Sequence, residues 1–209
     1  MKIKSVYLFS LIAILIILGT FVSIIKLTPS LSAFNSGNIV SFRKAKNQIL
    51  SQRVDGPFYK DLSFDSLQYY LPNEKEIFRS DVYEVVDGEE LDLMPDRVGY
   101  PSHKVVSFLI LERETWRDTL FVLKDFEEKS DTTFFAPFLD GGNGKESYGG
   151  GRYLDLTILP GKQAVVDFNY AYNPYCAYNS AFLCPKVPGM NRLSRIIGAG
   201  EKNYISRLK

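Results

Sequence analysis

The sequence predicts a mainly β domain, an antiparallel β-sandwich or open barrel, preceded by an N-terminal transmembrane helix and one amphipathic helix. Three observations carry this expectation. Short runs rich in Val, Ile, Phe and Tyr crowd the chain after residue 73; a long uncharged run opens it; and between the two, apolar residues recur at helical spacing. The gaps between the runs are mostly too short for helical crossovers, which favours antiparallel hairpins over a parallel sheet.

The opening run extends from Ser5 to Ile25 and is dominated by Leu, Ile, Val and Phe. As a helix it is long enough to cross a hydrocarbon core of about 30 Å. Lys2 and Lys4 precede it and Lys26 closes it, so the bias of positive charge toward the cytoplasm places the remainder of the chain outside. Residues 1–26 are therefore expected to be a single-pass anchor in the cell membrane, residues 27–37 a tether, and residues 38–209 one extracytoplasmic, periplasmic domain. A cleaved signal peptide is the rival reading, although its apolar region is normally only about 7–15 residues long.

Ile39, Phe42, Ala45, Ile49 and Leu50 repeat at helical spacing with Arg43, Lys44, Lys46 and Gln48 between them, which predicts an amphipathic helix over 38–52. Strands are predicted over 77–86, 104–113, 118–125, 132–140, 153–159 and 163–173, with Pro160-Gly161 as the turn between the last two.

Composition narrows the functional classes. Hydrophobic residues make up 45% and charged residues 23%, as expected of a globular chain. The formal charge is +1, from 25 basic and 24 acidic residues, so no global field exists to attract nucleic acid. With one histidine, His103, and two cysteines, Cys176 and Cys184, a zinc site of four Cys/His ligands cannot be assembled. No metal and no cofactor is expected. The loop Asp140 to Glu146 holds oxygen ligands but fails the twelve-residue calcium spacing, and the glycines 149–151 are not followed by the Lys-Ser/Thr of a phosphate loop. No G-x-S-x-G is present.

The most specific information lies in the last third. Gly151 to Leu154 reads G-R-Y-L, Asp167 to Tyr178 reads D-F-N-Y-A-Y-N-P-Y-C-A-Y, Cys184 to Gly189 reads C-P-K-V-P-G, Asn191 to Leu193 reads N-R-L and Ala199 to Lys202 reads A-G-E-K. Together these resemble the Domain-of-Unknown-Function 1684 family of bacterial and archaeal proteins. The resemblance covers about residues 138–202, with a looser likeness back to about residue 58. The family pattern carries C-P-x-P-P where this chain has Cys184-Pro185-Lys186-Val187-Pro188, a displaced second proline. The resemblance implies a family and no established activity.

Read physically, strand alternation over 163–173 places Val166, Phe168, Tyr170 and Tyr172 on one face and Asp167, Asn169 and Asn173 on the other. A row of Asp, Asn and Asn on a strand needs hydrogen-bond partners. Those partners are loop amides in a structural reading and a ligand in a functional one. Arg152 follows three glycines and would pair with Asp167 across the hairpin, with Tyr153 and Asn169 as cross-strand neighbours. A polar cluster of Asp140, Glu146, Tyr148, Arg152, Asp167, Asn169, Asn173 and Glu201 is the candidate ligand-binding or structural site. Outside the cytoplasm Cys176 and Cys184 are expected to form a disulfide stapling the excursion between Asn173 and Pro185. His103, beside Lys104, reads as a surface residue.

Two functional classes follow. One is a binding or structural module at the membrane surface that takes a small-molecule, glycan or envelope ligand, with Tyr148, Tyr153, Tyr175 and Tyr178 as contact surface. The other is a carboxylate-based hydrolase around Arg152 and Asp167, which requires two carboxylates about 5–10 Å apart on one cleft.

Overall fold

A computed structural model describes residues 34–94, 102–159 and 163–205. The expected membrane helix over 1–26 and the 160–161 turn lie outside the described residues. Among the described residues no helix is long and apolar enough to cross a membrane.

The described chain begins with helix α1 (Ser36–Gln52) and continues through strands β1 (Ile77–Glu84), β2 (Glu90–Leu91), β3 (His103–Arg113), β4 (Trp116–Asp125), β5 (Thr133–Phe135), β6 (Asp155–Leu159) and β7 (Gln163–Asp167). Every strand pairing is antiparallel, in the order β1-β7-β6-β5-β4-β3-β2. The β1–β3 pairing, Val82↔Leu109 to Glu84↔Ser107, closes the sheet on itself. The architecture is thus a closed six-stranded barrel, not a sandwich or an open one, with β2 added outside the ring on β3. Closure removes the sheet edges that an open barrel would expose. A register shift between Val105 and Ser107 on β3 marks a bulge of the kind that sharpens strand curvature.

Alternation decides the interior. His103, Val105, Ser107, Leu109 and Leu111 of β3 are buried while the residues between them are half-buried. Leu109, Leu120, Val122, Phe138, Val166 and Phe168 fill the barrel at 0% exposure. Phe168 sits edge-on to Phe78 and Phe138, with centroids 5.9 and 5.0 Å away.

The expected strand over 163–173 stops at Asp167, because a 3-10 turn over Phe168–Tyr170 follows, capped by the Asp167 carboxylate accepting from Asn169 N. The β6–β7 pairing, Ile158↔Ala164, would place Asn169 opposite Tyr153 if it continued. The turn takes up three residues, and Tyr153 instead bridges Tyr172. The expected run over 132–140 is likewise a short strand, β5, continued by single bridges at Phe138 and Leu139.

Helix α1 forms where the periodicity placed it, but with a different inner face. Ile39, Arg43 and Leu50 are buried, whereas Phe42 is 42% and Ile49 59% exposed. The reason is polar. Arg43 donates to the carbonyls of Tyr70 (2.7 Å) and Asn169 (3.3 Å), and Lys46 reaches Glu201. The helix docks through two cations read from sequence as its solvent side.

Candidate functional site

The residues singled out by the sequence motifs fold into a sealed frame. Arg152 and Asp140 are a buried ion pair, Nη2 to Oδ2 at 2.7 Å, with both side chains 0% exposed. The same guanidinium donates to the carbonyls of Ile197 (2.9 Å), Ala199 (2.5 Å) and Glu201 (3.1 Å). Its place at the barrel end follows from Gly151, whose φ of +95° and close approach to the Phe138 carbonyl exclude a side chain. Asp140 also accepts from Gly142 N, and Asn143 closes the same loop through Asp140 N and the Tyr148 carbonyl. The oxygens that resemble calcium ligands are thereby used internally.

Glu201, 1% exposed, accepts from Lys46, Asn173 N and Tyr178 hydroxyl. Burial, reinforced by the Glu201 charge, pushes the Tyr178 phenol well above its ordinary value. Asn173 donates to the Lys202 carbonyl. Asn169 forms a two-way clamp on Asn73, accepting from its N–H and donating to its carbonyl, and also donates to Asp167. Burial raises the Asp167 pKa, opposed by its bonds from Asn169 and by Arg43. Asn191 holds β4 to the following chain through Phe121 N–H, Phe121 O and Pro137 O.

Two expectations are corrected here. Arg152 pairs with Asp140 and not Asp167, because the 3-10 turn moves Asp167 into a capping role. No cleft joins the eight candidates. Asp140, Arg152 and Glu201 share one buried network; Asp167 and Asn169 share another set of bonds; Glu146 is exposed beside Lys202, and Tyr148 points its hydroxyl at Cys176 Sγ. A hydrolase around Arg152 and Asp167 therefore has no support: its clamp residue is sealed from substrate.

An open cleft of about 380 Å³ lies elsewhere. Strand residues His103, Asp125, Thr133 to Phe135 and Asp155 line it, together with Tyr153 and with Glu128 from the β4–β5 turn. The remaining wall comes from the chain after the 3-10 turn, Tyr172 to Tyr175 and Phe182 to Pro185. Of the eight candidates only Asn173 lines this cleft. Tyr153 and Tyr175, expected as contact surface, do so too, whereas Tyr178 is packed against Phe58.

The aromatic walls are interlocked. Phe135 meets Tyr153 edge-on at 4.8 Å, Tyr153 meets Tyr172 at 5.8 Å, and Tyr175 meets Phe182 at 5.4 Å. The Tyr153 hydroxyl donates to the Pro185 carbonyl and so ties the excursion to the barrel. Cys176 and Cys184 stand at disulfide distance, their Cα atoms 6.0 Å apart, and brace the same excursion. Asp155 opens to the cleft and accepts from the Tyr172 hydroxyl at 3.0 and 3.1 Å. Loss of water around Asp155 raises its pKa, with that hydroxyl opposing.

His103 is buried at 5% exposure, not on the surface. Its ring tilts against Phe135 at 5.3 Å, Nδ1 meets Ser102 Oγ at 2.8 Å, and Nε2 is 4.0 Å from Asp125. Burial lowers its pKa, with Asp125 opposing. Serine, histidine and aspartate thus stand in line, but Ser102 does not line the cleft and the Asp125 contact is too long for a hydrogen bond. Among the described residues, no group of three or more His, Cys, Asp or Glu side chains could hold a metal. The signal for His103 was available in sequence: period-two alternation from Leu111 back through Val105 places it on the inward face.

A family model described as a protein of unknown function, DUF1684, matches residues 62–202. The chain belongs to the DUF1684 family. The match takes in the barrel, the frame and the cleft of this DUF1684 protein and leaves α1 outside. No curated protein matches the chain. Among solved structures, the solution NMR structure of an uncharacterized protein from Haloarcula marismortui is similar, with 28% identity and a TM-score of 0.62 over 79% of this chain and 92% of that one.

Two outcomes are expected from these contacts. Asp140→Ala leaves the Arg152 charge buried without its partner and should lower the unfolding free energy in urea by about 3–5 kcal/mol, while Glu146→Ala stays within about 0.5 kcal/mol. An unchanged midpoint for Asp140→Ala would remove the pair from its central role. The second outcome concerns pH. Because His103 binds its proton less readily folded than unfolded, its contribution is complete above the unfolded value of about 6.5 and is lost as pH falls from there toward the folded value. Stability should therefore drop as pH falls through and below about 6.5, and His103→Gln should flatten that slope; an equal slope in the variant would refute the assignment.

Proposed function

We propose that this protein is a membrane-anchored extracytoplasmic binding module whose ligand, a small molecule or short glycan, sits in the aromatic cleft. The single observation that carries the reading is the cleft itself. Its volume of about 380 Å³ falls within the roughly 300–1,000 Å³ of small-ligand sites. Its walls combine rings with a small number of polar groups, His103, Asp125 and Asp155, the composition by which such sites bind and orient a ligand. The rings are held by the Tyr153–Pro185 bond and the cysteine pair, so little ordering cost is added on binding. The location rests on the uncharged run over residues 5–25, the leading lysines and the cysteine pair, which suits an oxidising compartment.

Thermal melts of the full-length protein across a panel of small metabolites and oligosaccharides should reveal a saturable stabilisation, about 2.7 kcal/mol at one hundred times Kd. Phe182→Ala, which removes one wall, should weaken that response while leaving the unliganded melt close to wild type. A panel without any shift, and without cleft resonances moving in NMR titrations, defeats the binding reading.

Location is tested separately. Protease added to spheroplasts should remove the domain, and thiol labelling of denatured, unreduced protein should find neither Cys176 nor Cys184 free. A domain protected alongside a cytoplasmic control, with both thiols labelled, would place it on the other side.

A further inference from the structure

The charge of the cleft does not match that of the chain. The sequence as a whole is nearly balanced, with 25 basic and 24 acidic residues. Asp125, Glu128 and Asp155 nevertheless line the cleft, and among the described residues no lysine or arginine is part of its lining. Burial discourages His103, which also lines that wall, from taking up a proton, with Asp125 opposing. Asp155 feels the positive charge of Lys46 and, after it, the negative charge of Glu128. Like charges gathered on one surface disfavour an anionic ligand and leave a site that a positive group would relieve.

The rings point the same way. Two ammonium groups of the protein already lie over rings of the cleft: Lys124 Nζ is 5.3 Å from the Phe134 centroid, and Lys46 Nζ is 4.5 Å from that of Tyr172. Neither lysine forms an ion pair with a cleft carboxylate, although Lys46 lies near enough for its charge to favour ionised Asp155. Lys124 donates to the carbonyls of Ser130 and Thr133, and Lys46 is engaged by Glu201. Aromatic faces attract cations through their quadrupole, and carboxylates accept from their N–H groups, so both components of the cleft favour one ligand charge.

We propose that the cleft selects a small organic cation, an amine or guanidine whose charged end meets Glu128 and Asp155 while its carbon skeleton packs on Phe135, Tyr153 and Tyr172. The inference rests on the reading of the cleft as a ligand site and adds the ligand's chemical class. Asp125, beside His103, extends the acidic wall toward β4 and strengthens the same preference.

Three probes of nearly equal shape separate the possibilities: phenethylamine, phenethyl alcohol and phenylacetate, titrated at low salt into the full-length protein by calorimetry or ligand-observed NMR. The amine should bind at least about tenfold tighter than the alcohol, which corresponds to about 1.4 kcal/mol, and phenylacetate should bind weakest. Glu128→Gln, a change at an exposed turn residue, and Asp155→Asn, which keeps an acceptor for the Tyr172 hydroxyl, should weaken the amine more than the alcohol and so narrow the difference between them; an amine-to-alcohol ratio unchanged in both variants would overturn the assignment. If alcohol and amine bind alike, or phenylacetate binds best, the cation assignment falls and the site reading stands. If none of the three binds, the cation assignment falls, and the site reading is decided by the metabolite and oligosaccharide panel.

Discussion

One buried guanidinium organises the C-terminal half of this protein. An arginine removed from water costs several kcal/mol unless its charge and donors are met. Arg152 meets that requirement at its two terminal nitrogens, with one carboxylate, Asp140, and three carbonyls from residues 197–201, and leaves only its Nε without a partner. The segment that supplies the carbonyls must wrap the barrel end to reach them. Gly200 makes the wrap feasible: its φ is +77°, and a Cβ there would stand 2.6 Å from the Ala171 carbonyl. Once the segment is in place, Glu201 lies where it receives Lys46 from α1, the Asn173 amide and the Tyr178 hydroxyl. The helix, the barrel and the excursion after residue 173 are thus joined through one chain of charge-assisted bonds.

The cleft is a consequence of that frame. The Asp167-capped turn shifts the pairing of the two aromatic strands by three residues, and the shift places Tyr172 beside Tyr153 where an uninterrupted hairpin would have put Asn169. Polar Asn169 is left free to clamp Asn73. Tyr172 then presents its hydroxyl to Asp155, and the backbone beyond it leaves the barrel to form the second wall. A turn of three residues therefore decides which side chains face the ligand space and which face the frame.

This accounts for what could be read from residues alone. β1, β3 and β4 follow the expected runs closely because alternation and β-branched content act locally. Barrel closure is not local: it depends on β1 meeting β3 across more than twenty residues, and no periodicity encodes that pairing. The helix was legible but not its docking face, since Arg43 and Lys46 are drawn inward by carbonyls and by Glu201, which are distant in sequence. The motif residues were legible as a polar group with structural partners. The cleft was not, because His103, Asp125, Glu128 and Asp155 come from separate elements, and their common surface exists only after closure.

The division between frame and cleft also explains how a specific family signature can coexist with an unassigned activity. In G-R-Y-L the arginine is the buried hub, in D-F-N the aspartate caps the turn and the asparagine clamps the loop, in N-R-L the asparagine pins β4, and in A-G-E-K the glycine and glutamate complete the wrap. Each of these polar groups is occupied by the protein itself, so the signature specifies how the chain closes. The acidic groups of the cleft, Asp125, Glu128 and Asp155, stand outside those motifs on β4, the turn after it and β6. Their own hydrogen bonds and ion pair, Asp155 with Tyr172, Glu128 with Ser130 and Asp125 with His103, are separate from those that hold Arg152, Asn169 and Glu201. The architecture can therefore keep one frame while the cleft chemistry changes, and the ligand of this chain has to be sought from the cleft residues.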